Sequence, residues 1–151
     1  MNINFRKANR ADVPEIIRLL NDDKLGASRE QYDEIIPEAY YSAFDAINSD
    51  GNNYLTIVEE DGKIVGTMQL TFIIYMTYQG GKRMQIEGVR VDKYARGKGI
   101  GKAMFEWAIN KAKGEGCHLV QLTTDKKRPE ALEFYKKIGF IESHHGLKLP
   151  L

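Results

Sequence analysis

The sequence is poor in residues that cross-link a chain or bind metals. Its 151 residues include one cysteine, Cys117, and three histidines. A single cysteine excludes an internal disulfide framework and is typical of a reducing cytosol, so we expect a cytoplasmic protein. Histidines without metal-ligand spacing predict no metal site. Cys117 begins an apolar, strand-like run, so we interpret it as a core residue and not as a nucleophile.

Long apolar runs and a strong excess of one charge are also missing. No apolar run reaches transmembrane length, and the N-terminus lacks a signal-peptide core, so we expect no membrane segment. The net charge of +1 gives no reason to expect nucleic acid. Lys and Arg number 6 against 13 Asp and Glu up to residue 62, and 16 against 8 thereafter. This asymmetry indicates that the halves attract ions of opposite charge, or only that solvated faces are unevenly shared.

Glycine, by contrast, is concentrated in the stretch "RVDKYARGKGIGKAMFEWAINKA", residues 90–112. Three glycines alternate there, directly before a helical pattern. Because a helix start has free N–H groups and a partial positive charge, bare backbone at that point indicates an anion site, typically for phosphate. The nucleotide motifs do not fit: Arg96 and Ala103 break the Walker pattern, and Lys102 breaks the dinucleotide pattern. A flexible, glycine-rich helix cap is the alternative.

The remaining patterns predict a mixed sheet flanked by helices, an α+β fold with α/β character in one domain over residues 1–151. Asp61-Gly62 predicts a hairpin, and Gly80-Gly81 a further turn. Strands are predicted at 3–9, 52–60, 63–78, 82–91 and 117–124, with a strand or hairpin at 140–150. Helices are predicted at 11–23, 28–48, 99–114 and 128–140.

Two of the helices have predicted starts and one has a predicted break. Asp12 with Glu15, and Ser28 with Gln31, each have the spacing of a capping box. Pro37 should divide the second helical segment into two short helices.

The fourth predicted strand changes phase along its length. Met84 and Ile86 are apolar at even positions, whereas Val89 and Val91 are apolar at odd ones. Strand side chains alternate with a period of two, so a β-bulge at Gly88 would restore one apolar face. A simple edge irregularity is the alternative. A bulge would splay the strand end and expose backbone groups to an extended ligand.

Three motifs together resemble the GCN5-related N-acetyltransferase (GNAT) family. They are Val89-Arg90-Val91, then Arg96-x-x-Gly99-x-Gly101, and then Phe134-Tyr135-x-x-x-Gly139-Phe140. The resemblance implies a twisted, mostly antiparallel mixed sheet with helices on both faces and splayed fourth and fifth strands.

The resemblance also implies acetyl-CoA as cosubstrate, without a metal. The pantetheine arm would pair with Val89 and Val91, between the fourth and fifth strands. Backbone N–H groups of the glycine-rich turn would bind the pyrophosphate. The turn residues implied are Arg96, Gly97, Lys98, Gly99, Ile100, Gly101 and Lys102.

Two side chains are candidates for the chemistry. By resemblance, Tyr135 is the acid that protonates the leaving thiolate; its alternative role is as an aromatic core residue beside Phe134 and Phe140. Glu87 is the candidate base, because burial at the bulge would make its carboxylate a better proton acceptor. Alternatively, Glu87 binds the acceptor ammonium or orders water. Gln85 occupies a position where relatives carry a carboxylate, but a neutral amide cannot act as a base.

The implied activity is direct acetyl transfer to a primary amine, with no covalent enzyme intermediate. The acidic N-terminal half favours a small cationic acceptor; its relevant residues are Asp22, Asp23, Glu30, Asp33, Glu34 and Glu38. A peptide or protein amine, and a non-catalytic acyl-CoA sensor, remain alternatives, and a homodimer is left open. Arg128 stands where relatives commonly have Asn against the pantetheine arm, so it faces phosphate or solvent instead. His144 and His145 are interpreted as surface residues.

Overall fold

The computed structural model describes residues 2–151, which form two compact units. The first unit ends at Gln121 and contains a five-stranded sheet. Its strands are β1 (Ile3–Lys7), β2 (Asn53–Glu60), β3 (Lys63–Ile74), β4 (Lys82–Val91) and β5 (Leu119–Gln121). Its helices are α1 (Val13–Asn21), α2 (Lys24–Ala27), α3 (Glu38–Ser49), the short α4 (Thr77–Gly80) and α5 (Ile100–Gly114), with 3-10 turns at Arg10–Asp12 and Lys93–Ala95. The second unit, Leu122–Leu151, contains α6 (Pro129–Lys137).

The strands lie in the order β1-β2-β3-β4-β5. The first four are antiparallel and β5 runs parallel to β4, which confirms the predicted mixed, mostly antiparallel sheet. The pairing of β4 with β5 is short, since it joins only Arg83–Gln85 to Leu119–Gln121. Beyond Gln85, β4 continues to Val91 with β3 as its only neighbouring strand among residues 2–151. The open edge this leaves is the splay expected between the fourth and fifth strands.

Helices cover both faces of the sheet in the first unit. On one face, Ile57 of β2 lies in a buried cluster with Ile16 of α1 and Phe44 of α3. Residues of opposite parity on β2 face the other way, and there Tyr54 contacts Trp107 of α5. Trp107 also stacks on Phe5 of β1, with ring centroids 5.0 Å apart. The core therefore lies on both sides of the sheet, with α5 alone on the second side among the first unit's helices.

The hairpin predicted at Asp61-Gly62 is confirmed. Both residues have left-handed backbone angles, φ 50° and 78°, and they join Glu60 of β2 to Lys63 of β3. Two consecutive positive φ values match the right-handed twist of the strands, which is why a two-residue turn suffices.

The bulge predicted in β4 is also present. Thr67 of β3 pairs with Arg90, and Gln69 pairs with Glu87, so β4 has one more residue than β3 between these pairs. Gly88 lies in the bulge with φ 61°, a conformation that glycine adopts without a steric penalty. As a result, Val91 lies on the same face of the sheet as Ile86.

Several local predictions are wrong. Asp12 makes no side-chain cap to α1; a capping box is instead formed by Asn9 and Asp12 around the 3-10 turn Arg10–Asp12 that precedes it. Residues 28–36 form no helix, because Asp23 caps α2 and the Ser28 hydroxyl donates to Leu25 O at its end. Only the helix after Pro37 forms, as α3.

The ends of two other predicted strands also differ. β3 ends at Ile74, and β5 is only three residues long. Residues 140–150 form no strand in the described chain; Ile141, Leu147 and Leu149 there are exposed, so no apolar face is buried that would hold a strand. Cys117, expected in the core, is half-buried just before β5, where burial raises the pKa of its thiol.

Within residues 2–151, no helix is long and apolar enough to cross a membrane. No group of three or more His, Cys, Asp or Glu side chains in the same range is placed to hold a metal ion. The single domain predicted over residues 1–151 stays a prediction.

A charged cluster joins the first two strands to the entry of α1. Arg6 donates to both carboxylate oxygens of buried Asp12, at 2.7 and 2.9 Å, and to Glu59 at 2.8 Å. These hydrogen bonds lower the pKa of Asp12 below its ordinary 3.8, although burial opposes them, and they also lower the pKa of Glu59. Because both pKa values are lower in the folded state, the stabilisation is complete above about pH 4–5 and is lost as the pH falls.

We therefore expect Asp12→Asn to lower the free energy of unfolding at pH 7 by about 2 kcal/mol, since it removes charged hydrogen bonds at a buried site. The free energy of unfolding of this variant should also fall less steeply than that of wild type between pH 5 and pH 3. Urea unfolding at several pH values measures both effects. Asp45→Asn is the control, because Asp45 forms an exposed pair with Arg10 and should change stability by less than about 1 kcal/mol. A wild-type pH slope in Asp12→Asn would contradict this account.

Candidate active site

The glycine-rich turn joins β4 to α5. Gly97 and Gly99 both have left-handed backbone angles, φ 78° and 83°, and Gly99 is the N-cap residue of α5. A Cβ at either position would meet no other atom within 4 Å. Glycine is thus required here by the backbone conformation and not by crowding. The space beside the backbone at both positions remains open to a ligand.

The start of α5 presents unpaired N–H groups beside this space. Ala103 is the first residue of the helix whose N–H has an i−4 partner, at 3.1 Å from Gly99 O. Ile100, Gly101 and Lys102 precede it, and the positive end of a 15-residue helix dipole lies at the same place. Open space, free N–H donors and a helix dipole together suit a bound phosphate.

The basic side chains of the turn are directed to protein partners. Arg96 Nε donates to Val91 O at 3.0 Å, and its guanidinium also pairs with Asp22 at 3.4 Å. Lys98 lies 3.9 Å from Glu60, and Lys102 lies 3.7 Å from Glu106. The N–H groups at the start of α5 are therefore donors of the turn that no protein group among residues 2–151 engages, whereas its basic side chains are shared with carboxylates.

Asp22 was expected among the acidic residues that favour a cationic acceptor, but its contacts in the structure are with the protein itself. It follows α1, and its carboxylate contacts Lys93 and Arg96 as well as the Lys93 N–H. Asp22 thus fastens the end of α1 to the glycine-rich turn. No local pattern links positions 22 and 96, so only the folded chain reveals this contact.

The open edge of β4 presents backbone groups where the pantetheine arm was expected. The N–H of Asp92 donates to Val65 O of β3, and strand residues alternate in direction, so the N–H and C=O of Val91 point away from β3. The Val91 carbonyl already accepts from Arg96, and the Val89 carbonyl accepts from Arg90 Nη1 at 2.8 Å. The N–H of Val91 is thus a donor that these contacts leave available on this edge.

Glu87 lies at the bulge but is exposed, so its predicted burial is wrong. The extra residue of the bulge follows it directly, and its carboxylate accepts a hydrogen bond from Gln85 Nε2 at 3.0 Å. Gln69 is its partner on β3. A solvent-accessible carboxylate held by a neighbouring amide can take a proton from an incoming group, directly or through water.

Tyr135 lies in α6, in the second unit. Its ring makes edge contacts with Phe134 and Phe140, with centroids 5.6 and 6.0 Å apart, as the sequence predicts. The side chain is half-buried. Arg128, directly before α6, is also half-buried, whereas His144 and His145 are exposed as expected. The role of Tyr135 as an acid stays a prediction.

The acidic residues of the N-terminal half are mostly engaged. Asp22 pairs with Lys93 and Arg96, Asp23 caps α2, and Glu38 contacts Arg10. A cavity of about 530 Å³ is present nearby. It is lined by Pro14, Tyr32, Asp33, Glu34, Ile35, Ile36, Glu38 and Tyr41. Three carboxylates therefore line the cavity, and Glu38 among them pairs with Arg10.

Comparison with known proteins gives the family. The model of the acetyltransferase (GNAT) family matches residues 14–140, so this chain belongs to that family. The match supports the predicted enzyme class, an acetyl-CoA-dependent N-acetyltransferase.

Two curated relatives are similar over most of the chain. The glucosamine 6-phosphate N-acetyltransferase 1 of Oryza sativa is 29% identical over 71% of this chain, which spans 65% of that enzyme. The aminoalkylphosphonate N-acetyltransferase of Salmonella typhimurium is 28% identical, covering 74% of this chain and 71% of the enzyme. This chain thus spans about two thirds of the length of these relatives.

Two solved structures are similar over nearly their whole length. A transcriptional regulator from Bacillus halodurans is 47% identical, with a TM-score of 0.95, covering 99% of this chain and 100% of that chain. A predicted acetyltransferase from Clostridium acetobutylicum, solved with acetyl-CoA, is 25% identical, with a TM-score of 0.74 and coverage of 99% and 96%. The predicted GNAT fold is therefore confirmed.

We expect Gly99→Val to weaken acetyl-CoA binding at least about tenfold, because the side chain enters the open space and the backbone resists φ 83°. Isothermal titration calorimetry measures the affinity. Gly116→Val is the matched control, since Gly116 follows the other end of α5 with φ 73° and equally open space. Both variants bear similar strain, so equal losses of affinity would contradict a pyrophosphate site at Gly99.

Proposed function

We propose that this chain transfers the acetyl group of acetyl-CoA directly to a primary amine of a small molecule. The observation that carries the proposal is the glycine-rich turn with free N–H groups at the start of α5. The open edge of β4 and the exposed carboxylate of Glu87 precede this turn in the chain. The open space at Gly97 and Gly99 fits a pyrophosphate, and the edge of β4 fits an extended arm. Acetyl-CoA, when bound, supplies an activated thioester.

In this proposal the chain's own groups bind, orient and move protons. The N–H groups of Gly97–Lys102 bind phosphate oxygens, and the N–H of Val91 holds the arm. Backbone N–H groups at the splayed end of β4 stabilise the oxyanion that forms on the carbonyl. Glu87 accepts the proton of the attacking amine, directly or through water. We also propose, from the GNAT motif alone, that the Tyr135 hydroxyl donates a proton to the departing sulfur.

The acceptor is proposed at the level of its class. Ion pairing engages Asp22 and Glu38, while Asp33 and Glu34 still line the cavity, which favours an acceptor with a cationic amine. The rice and Salmonella relatives are named for amines that carry a phosphate or a phosphonate. A small amine that also carries an anionic group is therefore tested beside a simple cationic amine and a peptide amine.

A second candidate is a non-catalytic acyl-CoA sensor. The observation in its favour is the 47% identity to the Bacillus halodurans transcriptional regulator. Such a sensor would retain the glycine-rich turn and bind acetyl-CoA, but it would not need a carboxylate at position 87. Binding without turnover of any amine would favour this candidate.

We expect wild type to release coenzyme A from acetyl-CoA with at least one amine of a panel: a polyamine, an amino-sugar phosphate, an aminoalkylphosphonate and a peptide. With the best acceptor, Glu87→Gln should lower kcat/KM by about 10²–10⁴-fold near neutral pH and recover partly at high pH, where free amine is more abundant. Glu133→Gln, an exposed carboxylate on α6, is the control. A wild-type rate and pH profile in Glu87→Gln would assign proton removal to water or another group.

We expect Tyr135→Phe to lower kcat while acetyl-CoA affinity stays near wild type, because the hydroxyl acts in the transition state and the ring contacts remain. Steady-state kinetics and equilibrium binding measure the two effects. With an acyl donor whose thiol is more acidic, Tyr135→Phe should lower kcat less, since that leaving group departs more readily without a proton. A wild-type kcat where chemistry is rate-limiting would make Tyr135 only a packing residue.

A further inference from the structure

Four hydrogen-bonded side chains form a line where β4 and β5 separate. Arg83 Nη1 donates to Gln121 Oε1 at 3.3 Å, and Gln121 Nε2 donates to Gln85 Oε1 at 2.8 Å. Gln85 Nε2 then donates to Glu87 Oε1 at 3.0 Å. We call these four residues the amide relay. It ends at the carboxylate to which we assign proton removal.

The sheet itself sets the positions of the relay. Arg83, Gln85 and Glu87 alternate along β4, so they lie on one face. Gln85 and Gln121 are partners in the last residue pair that joins β4 to β5. The relay therefore spans the point where the open edge of β4 begins.

The two ends of the relay force its direction. A guanidinium can only donate hydrogen bonds, and an ionised carboxylate can only accept them. Between such ends, each amide must accept with its oxygen on the Arg83 side and donate with its nitrogen on the Glu87 side. Reversing either amide would place two donors or two acceptors against each other, so both amides have one orientation.

The Arg83 end is held firmly. Its guanidinium lies over the rings of Tyr75 and Tyr78, 4.7 and 5.1 Å from their centroids. No carboxylate among the described residues pairs with it; Nη1 donates to the relay, and Nε is buried without a hydrogen-bond partner. Contacts with two rings restrict a side chain that would otherwise have many rotamers.

We propose that Gln85 and Gln121 are positioning residues that orient the Glu87 carboxylate for acetyl transfer. Gln85 donates to Oε1 of Glu87 and thereby fixes the rotamer of that side chain. Oε2 of Glu87 is left to accept a proton from the acceptor amine or from a water molecule bound to it. Gln121 holds Gln85 in the orientation that donates. The inference rests on the proposed role of Glu87, and it explains why an amide that cannot act as a base stands at position 85.

The first test compares matched glutamine variants. Gln85→Met keeps the length of the side chain and removes its donor, so kcat/KM should fall about 10- to 100-fold through misplacement of Glu87. Gln121→Met should cause a smaller loss, and acetyl-CoA affinity should change in neither. Gln69→Met is the control, because Gln69 lies opposite Glu87 but donates to Asn53 at 3.1 Å. Equal losses at positions 69 and 85 would overturn the relay.

The second test is a double-mutant cycle with Glu87→Gln. If Gln85 acts through Glu87, then Gln85→Met should change kcat/KM by less than about twofold once Glu87→Gln is present. A merely structural contribution of Gln85 would lower the rate by the same factor in both backgrounds. Independent, multiplicative losses would therefore overturn the proposal.

The third test does not depend on activity. In NMR titration of wild type, the side-chain amide signals of Gln85 and Gln121 should shift together as Glu87 ionises, and Glu87→Gln should abolish that shift. In Gln85→Met, the signal of Gln121 should no longer follow the titration. Side-chain amide signals of Gln85 and Gln121 that do not shift as Glu87 ionises would overturn the relay. A wild type without turnover of any amine would instead contradict the proposed function, and the NMR result would still decide the relay.

Discussion

The extra residue at Gly88 is the constraint on which the candidate site depends. It reverses the alternation of side chains in β4, so the strand keeps one apolar face toward α5 while Glu87 remains on the opposite side. Without the bulge, the side chain of Val91 would change faces and its backbone groups would be directed differently. The open edge, the carboxylate and the approach to the glycine-rich turn all follow from this single insertion.

Features that depend on local backbone chemistry could be predicted from the sequence. Asp61-Gly62, Gly97 and Gly99 have left-handed angles that glycine adopts readily, and the hairpin predicted at Asp61-Gly62 is confirmed. The phase change between Ile86 and Val89 was visible because it breaks a strict period of two. The GNAT motifs added the family, which the comparison confirmed.

Features that depend on distant partners could not be predicted. Ser28 and Gln31 have the spacing of a helix start, yet Asp23 begins a helix earlier and the chain from 28 to 36 stays irregular. Glu87 has apolar neighbours in the sequence, but alternate strand residues face opposite ways, so sequence proximity did not imply burial. Asp22 shows the same limit, because its partners lie about seventy positions away. Roles assigned to Glu87 and Tyr135 remain predictions for this reason.

The guanidinium groups on the β4 edge have a consequence for aggregation. An unpaired strand edge offers both donors and acceptors to the edge of another molecule, and proteins that leave such edges open tend to associate. Here Arg90 and Arg96 donate to the carbonyls of Val89 and Val91, so another strand would have to compete with them to form a continuous ladder along that edge. A ligand arm that accepts a hydrogen bond from the Val91 N–H can still bind along this edge. The edge is thereby open to a ligand arm, while pairing with the strand of a second chain is disfavoured.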